Sequence, residues 1–145
     1  MTNITETLHD LSQTTYDSVE GYRKAAQVTN NAAIKQAFER RADQRSQTLG
    51  KLNDAIQSRG GDPITSLSAG GKVHQMFLSV TEALSDSTEA AIKRVDEGEA
   101  YLARKFRDVM SRDDLDSELR LMLNTIFRDI NEGRRFSEML EEQYA

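Results

Sequence analysis

The sequence has 145 residues, which is enough for one domain with a substantial hydrophobic core. Hydrophobic residues make up 37% and charged residues 30%, with a single proline, and this balance favours a helical bundle over a β protein or a disordered chain. The net charge of −5, without any basic block, argues against a nucleic-acid-binding protein.

The residue types and segments that the sequence lacks exclude further classes of protein. The chain has no cysteine, which excludes disulfides, thiolate metal ligands and a cysteine nucleophile. Its N-terminus lacks the basic and apolar regions of a secretory signal, and no apolar run approaches the roughly 18 residues of a membrane span. We therefore expect a single all-α domain over residues 1–145, located in the cytoplasm and without membrane association.

The first half of the chain predicts two helices joined by a very short turn, which makes them an antiparallel hairpin. The first predicted helix covers residues 3–28 and begins with Asn3 and Glu6 in a capping-box pattern. The second predicted helix lies within residues 30–61, and Asn30 or Asn31 caps its start. The inward stripe of the first helix is Ile4, Leu8, Leu11, Thr15, Val19, Tyr22 and Ala26. The inward stripe of the second is Ala33, Ile34, Ala37, Phe38, Leu49, Leu52, Ala55 and Ile56. The side chains expected to project away from the first stripe are Glu6, His9, Asp17 and Glu20.

The second half predicts a crossover and another hairpin. Gly60 and Gly61 end the second helix, residues 64–71 form a loop, and residues 72–84 form a short amphipathic crossover helix. Two long helices follow, over residues 86–110 and 114–143. Their inward positions are Ala91, Ile92, Val95, Leu102, Phe106 and Val109, then Leu115, Leu119, Met122, Leu123, Ile126, Ile130, Ser137 and Leu140.

The predicted fold is therefore an all-α four-helix bundle of two antiparallel hairpins, with a crossover between helices two and three. One such crossover is typical of ferritin-like bundles, whereas simple up-down-up-down bundles have short loops throughout.

Several polar residues occupy the inward faces near mid-helix. Because buried arginines are costly unless acids or hydroxyls meet them, we expect Glu99 to meet Arg45, with Arg41 beside it. Small hydroxyl side chains and Tyr22 would supply the remaining hydrogen bonds. The predicted polar layer consists of Arg41, Arg45, Thr48, Glu99, Thr15 and Ser18.

Short segments along the chain resemble those of a bacterial ferritin-like family, domain of unknown function 2383. They are LHDL at 8–11, EGYRKAA at 20–26, Arg45 with Gln47, the stretch at 52–63 that ends in RGGDP, and EGE at 97–99. The resemblance implies a ferritin-like four-helix bundle and no established activity.

The residues do not fit a ferritin-type di-metal site. Such a site takes a Glu from each of two helices and a Glu-x-x-His from each of the other two, whereas the one Glu-x-x-His of this sequence, Glu6 to His9, projects away from the inward stripe of its helix. Its histidines are His9, on an outer face, and His74, in the crossover. When the Arg-Gly-Gly sequence at the end of helix two is aligned with the similar sequence in ferritins, the metal-ligand positions of ferritins fall on Arg45 and Thr48. An arginine cannot bind a metal. We therefore expect neither a metal nor another cofactor.

The sequence is compatible with three functions. The first is a non-catalytic bundle that acts by binding or assembly, in the stress-related setting that ferritin relatives suggest. The second is a ferritin-type di-metal oxidoreductase or metal-storage protein with an atypical site built on Glu99 and Asp129. The third is a carrier of a small ligand between the helices. Surplus apolar residues at Phe136, Met139 and Tyr144 favour a homodimer.

Overall fold

The computed structural model describes residues 3–66 and 87–144, and all regular secondary structure within them is helical. The four helices of this part of the chain are α1, Ile4–Val28; α2, Ala32–Ser58; α3, Ser87–Met110; and α4, Ser117–Tyr144. The prediction of an all-α four-helix bundle is confirmed. The crossover helix predicted at residues 72–84 lies outside the described residues.

Side-chain caps fix the starts of three helices. The side chains of Asn3, Asn31 and Asp116 each accept a hydrogen bond from the backbone N–H three residues later, at 2.8, 3.1 and 2.8 Å. The last of these corrects the predicted start of helix four at residue 114. Asp114 instead pairs with Arg112 at 2.7 Å, so it belongs to the turn between α3 and α4.

Contacts between the hairpins show that α1 and α3 run antiparallel. The Thr29 hydroxyl, just beyond the end of α1, lies 2.7 Å from the Thr88 hydroxyl at the start of α3. Near the other end, Lys105 of α3 pairs with Asp10 of α1 at 2.7 Å. Hence α3 begins at the end of the bundle where α1 finishes.

α2 and α4 are likewise antiparallel neighbours. Arg59, after α2, lies 3.2 Å from Asp116 at the start of α4, and Asn31 lies 3.3 Å from the Tyr144 hydroxyl at its end. The end of α2 and the start of α3 are therefore at opposite ends of the bundle, which is the one-crossover connectivity that the sequence predicts.

The buried apolar side chains form two clusters, one towards each end of the bundle. The upper cluster is Val19, Tyr22, Ala25, Ala26, Ile34, Phe38, Ala42, Ala91, Ile92, Val95 and Leu140. The lower cluster is Leu8, Leu11, Leu52, Ala55, Ile56, Leu102, Ala103, Phe106, Leu115, Leu119, Leu123, Ile126 and Ile130. The two clusters leave a central level of the bundle that is filled by other side chains.

Two positions differ from the expected burial. Asp17, expected in solvent, is only 5% exposed, and Gln13 beside it donates to Asp17 and to the backbone carbonyl of Ser66. The segment that leaves α2 therefore contacts this side of α1 at Gln13. Ala33 is exposed because the first inward position of α2 falls on Ile34. Among the described helices, none combines the length and apolar character needed to cross a bilayer.

Candidate functional site

Arg45 of α2 and Glu99 of α3 form an ion pair at the centre of the bundle. Arg45 Nη1 lies 2.7 Å from Glu99 Oε1, and Nη2 lies 2.7 Å from Oε2. Their side chains are 1% and 2% exposed. A two-point contact of this kind is the strongest geometry that an arginine and a carboxylate can adopt. Because bulk water cannot reach these charges, the pair and its neighbours must replace the lost hydration.

Side chains from the other two helices complete this contact. Ser18 of α1 accepts a hydrogen bond from Arg45 Nη1 at 2.6 Å and lies 3.4 Å from Glu99 Oε1. Asp129 of α4 places Oδ2 3.6 Å from Arg45 Nε and accepts a hydrogen bond of 2.9 Å from Thr48. These five residues, Ser18, Arg45, Thr48, Glu99 and Asp129, are called the polar layer below. All four helices contribute to it, between the two apolar clusters.

The local field favours the charged form of Arg45. Burial lowers the pKa of the guanidinium, but the charge of Glu99 and its hydrogen bonds outweigh burial, so the pKa of Arg45 lies above its ordinary value. The Tyr22 ring lies 5.6 Å from the Arg45 guanidinium carbon. Burial raises the pKa of the Tyr22 phenol, and the negative charge of Glu99 raises it further. The polar layer therefore holds a permanent cation beside a neutral phenol.

Two residues of the predicted polar layer have other partners. Arg41 donates to Gln44 at 2.9 Å and lies 5.6 Å above the Phe136 ring, at the edge of the polar layer. Thr15 is fully buried, but its hydroxyl donates to the Leu11 carbonyl at 2.7 Å. A threonine within a helix always has that carbonyl within reach, and this explains why it does not serve the polar layer. The Tyr22 hydroxyl, expected to help, has no hydrogen-bond partner among the described residues.

Gly133 of α4 is the residue that sequence reasoning missed. A Cβ atom at this position would lie 2.0 Å from Glu99 Oε2, 2.6 Å from Arg45 Nη2 and 2.8 Å from Arg41 Nη2. The missing side chain is thus what lets the ion pair fit against α4. The signal in the sequence is a glycine three residues after Ile130, on the inward face of a long helix.

The other acids and histidines that the sequence singled out lie apart from this site or outside the described residues. His9 and Glu132 are exposed, Glu20 pairs with Arg23 on the surface, and His74 lies outside the described residues. Within residues 3–66 and 87–144, no group of three or more His, Asp, Glu or Cys side chains is arranged to hold a metal ion.

A second polar cluster joins α3 to α4 near the surface. Asp96 accepts hydrogen bonds of 2.8 Å from both Arg134 and Ser137. Glu141 shares a hydrogen bond with Asp96, and that bond, partial burial and the charge of Asp96 raise the pKa of Glu141 to about 7 from an ordinary 4.5. The folded protein therefore retains a proton on Glu141 that the unfolded chain releases at lower pH.

Because the folded protein binds this proton more tightly than the unfolded chain, we expect the stability of the fold to depend on pH. A carboxyl group with a raised pKa gives its stabilisation fully below pH 4.5 and loses it as the pH rises through about 7. We expect Glu141→Gln, which keeps a neutral donor, to melt higher than the wild type at pH 8 and at nearly the same temperature at pH 4.5. Exposed Glu142→Gln is the matched control. Equal melting shifts at both pH values for Glu141→Gln would contradict the shared proton.

The comparisons with known proteins identify a family without naming an activity. A family model described as Domain of unknown function (DUF2383) matches residues 3–112, which contain α1, α2 and α3 and every residue of the polar layer except Asp129. No curated protein and no solved structure matches the chain. Since the matched region covers well over half of the sequence, the chain belongs to the DUF2383 family.

Proposed function

We propose that this protein is a non-catalytic, ferritin-like bundle that acts by binding or assembly, with the polar layer in the place of a di-metal centre. The observation that carries the proposal is the buried pair of Arg45 and Glu99. In a ferritin-type centre, inward carboxylates bridge two metal ions. Here the inward carboxylate of α3 is occupied at both oxygens by a guanidinium.

The surroundings of the pair support a structural role over redox chemistry. Asp129, the other acid at this level, is bonded to Thr48 and faces Arg45. A divalent cation at Glu99 and Asp129 would lie within a few ångströms of the Arg45 charge, which strongly opposes its binding. The alternative, an atypical di-metal site on these two acids, requires Arg45 to leave the core.

The polar layer has a clear physical role without any metal. A buried ion pair adds little net stability, because desolvation offsets the attraction between the charges. Misaligned helices, however, would leave Arg45 or Glu99 without its partner, at a cost of several kcal/mol. The polar layer thus favours one register of the helices and keeps the outer surface of the bundle in one defined form.

Metal analysis tests this proposal. Protein purified without chelators, then dialysed against ferrous iron or manganese, is expected to retain far less than one ion per chain by mass spectrometry. Roughly two ions per chain, the loading of a di-metal centre, would reverse the proposal. Loss of those ions in Glu99→Gln but not in Glu20→Gln would place them at the polar layer.

A further inference from the structure

The outer face of α4 carries two exposed apolar side chains in the same angular position. Leu121 is 68% exposed and Met139 is 47% exposed. They are 18 residues apart, which is about five full turns and about 27 Å along the helix. Both therefore point in the same direction, away from the two apolar clusters.

Two opposite charges lie between these apolar side chains, and both pairs of residues are centred on Ile130. Arg128 and Glu132 are exposed and stand two residues on either side of Ile130. Leu121 and Met139 stand nine residues on either side of the same position. Neither Arg128 nor Glu132 forms an ion pair within the part of the chain that the structure describes. Read towards the C-terminus, these four side chains are apolar, positive, negative and apolar, and the exposed Thr125 and Arg135 near the same face stand five residues on either side of Ile130.

We propose that this face binds a second copy of the chain through an antiparallel α4–α4 contact. A two-fold axis level with Ile130 would place Leu121 against Met139 of the partner subunit. The same axis would place Arg128 against Glu132 of the partner subunit. This inference rests on the proposed function, since it names the partner in assembly, but it does not depend on the polar layer's metal content.

The order of the side chains selects a second copy over an unrelated partner. Read in the opposite direction, the same four side chains are apolar, negative, positive and apolar, so that in an antiparallel pair each charge meets the opposite charge. A self-complementary two-fold interface requires this property. A parallel contact would instead oppose Arg128 to Arg128 of the partner subunit, and like charges disfavour such a register. One helix pair is a small interface, so we expect association at about micromolar concentrations or above.

Engineered cysteines test the contact directly, because the natural chain has none. Under mild oxidation at about 50 micromolar, a mixture of Leu121→Cys and Met139→Cys is expected to form a disulfide-linked dimer. Either variant alone is expected to stay monomeric on non-reducing gels, since identical positions lie about 27 Å apart in the antiparallel contact. Efficient cross-linking of either variant with itself would overturn the arrangement.

A charge reversal tests the same contact without cross-linking. Arg128→Glu alone and Glu132→Arg alone are each expected to weaken dimer formation about tenfold in sedimentation equilibrium, because each places like charges together twice. The double variant is expected to restore it, whereas Arg40→Glu on the exposed face of α2 should have no effect. Wild-type protein that remains monomeric at several hundred micromolar would refute the proposal, and the metal analysis would be unaffected.

Discussion

Replacing Glu99 with glutamine is expected to lower the free energy of unfolding by about 3–5 kcal/mol. The change keeps the shape of the side chain but leaves the Arg45 charge, 1% exposed, without its carboxylate. Asp129 is expected to compensate only in part, because its oxygen lies 3.6 Å from Arg45 Nε, beyond hydrogen-bonding distance, and its side chain is 27% exposed. Urea unfolding followed by circular dichroism measures the loss.

A matched control and a double replacement sharpen this result. Glu20→Gln removes a carboxylate from a surface pair with Arg23, so we expect a change within about 0.5 kcal/mol. Replacing both partners, Arg45→Met with Glu99→Leu, is expected to recover most of the lost stability, because no buried charge remains. Equal losses for the single and double variants would show that the pair has no special coupling.

Gly133→Ala is the second change with a large expected effect. Alanine is the better helix former by about 1 kcal/mol, so helix propensity alone predicts stabilisation. We instead expect a loss of about 2–4 kcal/mol, because the new methyl group would lie 2.0 Å from Glu99 Oε2 and must break the ion pair or displace α4.

Gly50→Ala is the control for this substitution. Gly50 also lies within a helix, but a Cβ atom there has nothing within 4 Å. We expect Gly50→Ala to stabilise the protein by about 0.5–1 kcal/mol. Stabilisation by both alanines in the same urea experiment would show that α4 does not approach the polar layer as closely as the structure indicates.

The helices and most of their buried faces could be predicted from the sequence because both depend on local patterns. Apolar residues at three- and four-residue spacing placed Leu11, Phe38 and Leu123 in the core. Asn3 and Asn31 signalled the starts of α1 and α2 through the hydrogen bonds that their side chains accept. The same periodicity put Arg45 and Glu99 on inward faces, where each needs a partner.

The remaining features depend on contacts between distant parts of the chain. Asp17 is only 5% exposed, and Gln13 beside it bonds to the backbone of Ser66, 53 residues further along the chain; no periodicity within α1 reports such a contact. Asp129 lies at the edge of its helical face, and its contacts with Thr48 and Arg45 of α2 bring it into the polar layer. The spacing from Ile130 puts Gly133 on the inward face, but a glycine does not show what packs against it, so its importance appears only when Glu99 is seen beside it.

A crystal structure of the protein grown in the presence of manganese would test the central claim most directly. We expect both Arg45 Nη atoms within hydrogen-bonding distance of the Glu99 carboxylate, with no metal density between α3 and α4. A manganese ion bound by Glu99 and Asp129, with Arg45 turned out towards solvent, would contradict the account.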